Sequence, residues 1–104
     1  MAQKHLTVQS GNALICLPLE SIRYLESRRH YLIVHARCGT FRIRGKISEY
    51  AERLVCAGFV RTHRCYLVRI ASDVKIRTVE VELADGTRIP VGRSYRETLL
   101  QVNS

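Results

Sequence analysis

One stretch gathers the residue types best suited to chemistry: Phe59-Val60-Arg61-Thr62-His63-Arg64-Cys65-Tyr66-Leu67-Val68-Arg69. Cationic and apolar side chains interleave in it, and no carboxylate lies anywhere in residues 53–72. A segment that enters a core while holding guanidiniums at its edge is a scaffold for binding anions. Two further junctions are basic or polar, Arg28-Arg29-His30 and Gly92-Arg93-Ser94. Arginine's planar fork donates two parallel hydrogen bonds, which suits phosphate oxygens and guanine edges. A buried strand with a solvated basic face is the plainer account of the same residues.

Other chemistries find less support. His63 and Cys65 are the one close pair with metal-ligand spacing, and no second pair completes a tetrahedral zinc site. Cys65 as a nucleophile would need His63 or His35 as base and an oxyanion hole, neither of which the sequence shows. There is no glycine-rich phosphate loop and no pair of carboxylates placed for acid–base work. Glu80 and Glu82 share a strand face and are expected to be solvated. The chain is therefore expected not to be an enzyme and to hold no cofactor and no metal.

The 104 residues contain 17 Lys+Arg against 9 Asp+Glu, a net charge of +8. Only Lys4, Lys46 and Lys75 are lysines, leaving fourteen arginines. Solubility alone would be served by lysine, so the bias favours a phosphate-bearing partner, although arginine also lies over apolar surface with no ligand. Readers of single-stranded RNA present stacking aromatics on a sheet. Here Tyr24, Phe41, Tyr50 and Phe59 fall at apolar-periodic positions that suit a core, which favours duplex DNA read by loop-borne Arg and His. Cys16, Cys38, Cys56 and Cys65 form no CxxC pair and sit in apolar contexts, so buried, unpaired thiols are expected. With no secretion signal and no apolar run of membrane-spanning length, a cytoplasmic location with no membrane contact is expected.

The elements that must position these residues are short. Residues 4–9 and 13–17 read as strands about a Ser10-Gly11-Asn12 turn, broken at Pro18. Residues 22–27 read as a strand, and 31–36 as a well-buried one. After a turn at Cys38-Gly39-Thr40, Phe41 and Ile43 alternate with Arg42 and Arg44. Residues 27–48 carry six cations and no acid. A helix over about 48–57 places Ile47, Tyr50, Ala51, Leu54 and Val55 on one face, with Ser48 as cap, Gly58 as terminator and Glu49 paired to Arg53. It is a buttress and not a recognition helix. Strands over 74–78 and 79–83 lead to Asp85-Gly86, a type I′ hairpin signal, and residues 87–91 return with Pro90 marking an edge strand. Ser94-Tyr95-Arg96-Glu97 has capping-box spacing for a short helix over about 94–102 that carries Tyr95, Leu99 and Val102. The sum is one mainly β domain of about eight short strands and two short helices.

Three segments resemble the LytTR family of bacterial DNA-binding domains. Phe59-Val60-Arg61-Thr62-His63-Arg64-Cys65-Tyr66-Leu67-Val68 is similar to the family's central segment. Ile22-Arg23-Tyr24-Leu25-Glu26-Ser27 is similar to its early strand, and Ile89-Pro90-Val91-Gly92-Arg93-Ser94-Tyr95 to its late strand-to-helix junction. Cys65 stands where the family has serine and Arg69 where it has asparagine; Thr62 and Gly92 are milder departures. The resemblance implies compact antiparallel stacked sheets and duplex DNA bound through loops as the output domain of a response regulator in a two-component system. His30, Arg64 and Arg93 would contact bases, and Arg28, Arg29, His63, Ser94 and Arg96 phosphates. It further implies paired direct repeats as the target and an upstream receiver domain, residues 1–104 being a single domain excised from a longer regulator. A basic module that docks RNA or an acidic protein is the alternative.

Overall fold

A two-residue loop closes the first hairpin, β1 (His5–Ser10) with β2 (Ala13–Pro18), and Gly11 supplies its left-handed corner at φ 61°. Positive φ at the first central position is the type II′ pattern, whose twist matches that of the flanking strands. The computed structural model describes residues 3–71 and 73–102, and the side chain of Val102 lies outside the described residues. A 3₁₀ turn, Leu19–Ser21, follows Pro18 and leads into β3 (Ile22–Arg28). β3 pairs with β4 (Tyr31–Ala36), and β4 with β5 (Gly39–Ile43). The basic stretch is itself a hairpin, β6 (Phe59–His63) and β7 (Tyr66–Arg69), turning at Arg64-Cys65.

The five strands form one antiparallel sheet in the order β5-β4-β3-β7-β6. A second sheet holds β8 (Lys75–Ile76), β9 (Glu80–Glu82) and β10 (Arg88–Pro90) in the order β10-β9-β8. Pro90 thus lies on an edge strand, where its missing N–H is harmless. Alternation along each strand sends neighbours to opposite faces, so the central sheet feeds two cores. Leu25, Leu32, Val34, Phe59 and Leu67 pack against Leu6, Val8 and Leu17 of the first hairpin and against Ile47 and Leu54. Val68, with Tyr24, Val60 and Tyr66, packs against Val81, Leu83, Ile89, Val91 and Leu99. The stacked, mainly β architecture expected from the sequence is the one observed.

Several local expectations are corrected. The helix α1 covers Ile47–Arg53, with Lys46 rather than Ser48 at its N-cap and no side-chain cap. At Leu54 the chain tightens into a 3₁₀ turn, Val55–Ala57, which rotates Val55 off the apolar face to 60% exposure. Gly58 does end the segment, at φ 87°. Arg53 places its guanidinium 4.7 Å from the Tyr50 ring centroid instead of pairing with Glu49. Ser94 lies inside a 3₁₀ turn, Arg93–Tyr95, with Gly92 at its N-cap, so no capping box forms ahead of α2 (Arg96–Val102). β4 buries Leu32, Val34 and Ala36 while Tyr31, Ile33 and His35 are half-buried, since the β8–β10 sheet does not reach across it.

The hairpin at Asp85-Gly86 is present but is not type I′. The Leu83 carbonyl accepts from Gly86 N–H at 2.9 Å and Leu83 N–H donates to Thr87 at 2.8 Å, closing a three-residue loop in which only Gly86 has positive φ. Asp85 accepts from Thr87 N–H, which holds its carboxyl below the usual carboxylate range. Glu80 and Glu82 are not simply solvated, because Arg77 and Arg88 pair with them. Cys16, Cys38 and Cys56 are exposed rather than buried, and Cys65 is half-buried; all four are unpaired.

Leu25 is fully buried and Leu14 is 74% exposed. Leu25→Ala should lower unfolding stability by about 2–5 kcal/mol in urea melts, and Leu14→Ala by less than about 0.5 kcal/mol. The Arg77 hydrogen bond also lowers the pKa of Glu82. A carboxyl with a depressed folded value contributes stability above the ordinary carboxylate range and loses it as pH falls through the lowered value. Glu82→Gln should therefore lower stability at neutral pH, converge with wild type at acid pH and so reduce the acid-side slope of stability against pH, measured by thermal melts in series.

Candidate nucleic-acid interface

Three loops meet at one end of the five-stranded sheet. β3 leaves it through Arg29-His30, and β6 turns into β7 through Arg64-Cys65. β3 lies beside β7 in the register Tyr24↔Val68, Leu25↔Leu67 and Glu26↔Tyr66. One further bond, Ser27 N–H to the Cys65 carbonyl at 2.8 Å, ties the two turns together. The third loop joins through β6. An extra residue at Thr62 shifts the register between Arg61 and His63, and the Thr62 carbonyl accepts Gly92 N–H at 2.8 Å. Arg93 and Ser94 follow immediately. His30, Arg64, Arg93, Arg28, Arg29 and Ser94 are exposed along this end, and His63 is half-buried. Arg96 stands apart on α2, half-buried, with its Nε sunk beside Val91 and Leu99.

Arg29 has φ 30°, the one positive value among non-glycine residues of the described chain. An L-residue pays about 1–2 kcal/mol for the left-handed region, and such strain persists where the surroundings over-determine it. Here the Arg28↔Tyr31 pair closes a loop of only two residues.

The five-stranded sheet carries a single acid, Glu26, and it sits at the loop end. Its carboxylate takes Arg28 Nε at 3.0 Å and His35 Nε2 at 3.1 Å. His35 is thereby committed to Glu26, and its ring stacks on Tyr24 at 4.1 Å between centroids. Burial, then the nearby Glu26 charge, pushes the Tyr66 hydroxyl above its ordinary pKa. The acid-free run of residues 27–48 is thus not acid-free in space, because Glu26 reaches back to Arg28. Arg29, Arg64 and Arg93 have no carboxylate partner among the described residues. The opposite end differs. There Arg23, Arg37 and Arg69 share a cavity of about 140 Å³ with Asp73 and Asp85, and Arg23 pairs with Asp85. Arg69 donates through Nε to the Ile22 carbonyl at 3.2 Å.

His63 accepts the Cys65 N–H on Nδ1 at 3.1 Å, so the neutral ring carries its hydrogen on Nε2, leaving that N–H as the ring's second hydrogen-bonding position. The bond is to the backbone N–H of Cys65, and the His35 ring is taken up by Glu26. Among the described residues no three His, Cys, Asp or Glu side chains gather as a metal-ligand set. Sequence reasoning passed over Glu26 and Arg61. Arg61 Nη2 donates to the Arg64 carbonyl at 2.8 Å while its guanidinium lies 5.7 Å from the Tyr95 ring centroid. It braces the second loop against the third. Its place two residues before His63, inside the basic stretch, was the available signal.

A family model described as the LytTr DNA-binding domain matches residues 12–103. The chain belongs to the LytTR family of DNA-binding domains. A solved LytTr DNA-binding domain, described as that of a methyl-accepting/DNA response regulator from Bacillus cereus, superposes with a TM-score of 0.85 at 21% identity, covering 99% of each chain. That likeness is one of fold. No curated protein matches the chain significantly. LytTR is a family of DNA-binding domains and not of enzymes, and among the described residues no helix is long and apolar enough to cross a membrane.

Arg61→Ala removes both arms of the brace. We expect a loss of about 1–2 kcal/mol in urea melts and faster amide exchange at Cys65 and Tyr95. Exchange at Leu32 and Val34, whose strand is remote from the brace, should change only in step with global stability.

Proposed function

We propose that this LytTR domain binds duplex DNA sequence-specifically as the output domain of a bacterial response regulator. The observation that carries the reading is the convergence of three basic loops on one end of a single sheet, tied by the Ser27–Cys65 and Thr62–Gly92 hydrogen bonds. His30, Arg64 and Arg93 project from three different loops and are the base-reading residues. A guanidinium meeting guanine O6 and N7 contributes about 1–3 kcal/mol of discrimination. Arg29, His63 and Ser94 contact phosphates and set register, which carries no sequence information. Arg28 joins them once phosphate competes with Glu26, and Arg96 does so through whatever part of its guanidinium remains outside the α2 groove.

Loops on strand ends enter the grooves, because both helices are seven residues long and spend apolar faces on the cores. Paired direct repeats, an upstream receiver domain and a cytoplasmic setting complete the proposal. They rest on the family resemblance and on the response regulator named for the Bacillus cereus relative.

The test is selection from a pool of random duplexes, followed by salt titration on the selected site. A repeated motif should emerge, with log affinity falling against log salt by about 0.9 per phosphate contact. Arg64→Ala should relax selection at one or two base positions. Arg29→Gly should weaken all duplexes alike and lower the salt slope by about 1, while holding or raising stability by up to about 1 kcal/mol, since glycine enters positive φ without steric cost. Salt-sensitive binding without a selected motif, or equal losses for both variants on selected and scrambled duplexes, would overturn the reading in favour of a basic RNA- or protein-docking module.

A further inference from the structure

Beside the three loops lies a wide groove of about 830 Å³ between the first hairpin and the outer strands of the central sheet. Its walls include Thr7 and Gln9 of β1, His30 and Tyr31 at the first basic loop, and Arg42 and Arg44 at the end of β5. Arg42 lies over the Tyr31 ring at 4.9 Å, which fixes its guanidinium without using its hydrogen-bond donors. Both arginines are exposed, and neither has a carboxylate partner among the described residues. No acid occurs in any strand that walls the groove, β1, β4 or β5. Unlike Arg77, Arg88 and Arg23, these two cations are not offset by the fold.

We propose that this groove takes the sugar–phosphate backbone of duplex DNA flanking the site read by the loops, with Arg42 and Arg44 on successive phosphates. The inference rests on the duplex-binding reading and extends it in two ways. His30 is common to the loop end and the groove, so the DNA surface continues past the three loops onto β5 and the hairpin. Thr7 and Gln9 lie on the opposite wall, where a hydroxyl and an amide can donate to backbone oxygens. The contact is electrostatic and indifferent to sequence, so it sets affinity and footprint length rather than choice of site.

The experiment compares wild type, Arg42→Gln/Arg44→Gln and Arg42→Lys/Arg44→Lys on three duplexes. One carries the selected site with long flanks on both sides, and the others are trimmed close to the site on one side or the other. On the long duplex the glutamine variant should lose about 2 units of salt slope, roughly 10–30-fold in affinity at 0.15 M salt, and the lysine variant should keep the slope. The selected motif should be the same for all three proteins. On one of the trimmed duplexes wild type and glutamine variant should bind equally. An unchanged slope for the glutamine variant on long flanks overturns the groove proposal and leaves the loop reading standing. So does an equal loss on all three duplexes. Failure of wild type to select any duplex overturns both. Circular dichroism and melting of each variant separate loss of contact from loss of fold.

Discussion

Everything at the loop end depends on β3 pairing with β7. Leu25 lies opposite Leu67 across a sequence separation that two hairpins, α1 and their connections must fill. Without that ladder the chain is two local assemblies, one from β1 to β5 and one from β6 to α2, each with a half-covered face. With it, the turns at Arg29-His30 and Arg64-Cys65 become neighbours on one edge. The side chains on either side of the Leu67–Val68 bond are then sent into different cores. A non-local pairing of this kind is costly to close, because loop entropy is spent before the contact rewards it. The fully buried Leu25, Leu67 and Val68 along it supply the burial that offsets the cost.

The same ladder gathers charge, and the gathering is arranged rather than merely tolerated. Three arginines remote from the loop end are matched to carboxylates within the fold, Arg77 and Arg88 to Glu80 and Glu82, and Arg23 to Asp85. At the loop end the single sheet acid, Glu26, holds Arg28 and His35 and leaves Arg29, Arg64 and Arg93 without a carboxylate. Exposed cations repel weakly once separated by a Debye length of about 8 Å at physiological salt. On the proposed reading, a polyanion supplies the counter-charge that the fold leaves out. Glu26 has a second effect. By fixing His35 against Tyr24, it stiffens β3 and β4 just before the strained turn at Arg29.

Much of this was legible in the sequence because strand alternation and turn chemistry are local. β3, β4 and β5, the first hairpin, the edge position of Pro90 and the three basic junctions all follow from period-two patterning and from Gly, Pro and Asp-Gly signals. What failed was decided by geometry beyond the window. The periodicity of α1 runs on to Val55, but the chain must reverse at Gly58 to enter β6, so the last turn tightens and Val55 swings out. Asp85 was expected in a left-handed turn, yet its carboxylate bonds Thr87 N–H and Gly86 alone takes positive φ. Cys16 alternates outward on β2 while its neighbour Leu17 points inward, Cys38 lies in the exposed turn between β4 and β5, and Cys56 lies in the 3₁₀ turn that also exposes Val55. Glu26 could not be weighed from the sequence, because its partner His35 is brought near only by the β3–β4 register.

A loop-borne interface has to solve a problem that a recognition helix does not, since loops cost conformational entropy when they are immobilised. Here each loop is kept to the shortest length its geometry permits and is fastened to the next. Two are two-residue turns closed by strand pairs, and the third starts at Gly92, whose N–H sits on the Thr62 carbonyl. That bond exists because of the bulge. One extra residue in β6 takes Thr62 out of register with β7, and its carbonyl turns toward Gly92. Arg61, one residue earlier, crosses from the Arg64 carbonyl to the Tyr95 ring and sets the distance between the second and third loops. Arg64 and Arg93 are consequently presented at a spacing fixed by the sheet before any ligand arrives. On the proposed reading, binding then spends little on ordering, because the three loops are fastened to one another beforehand.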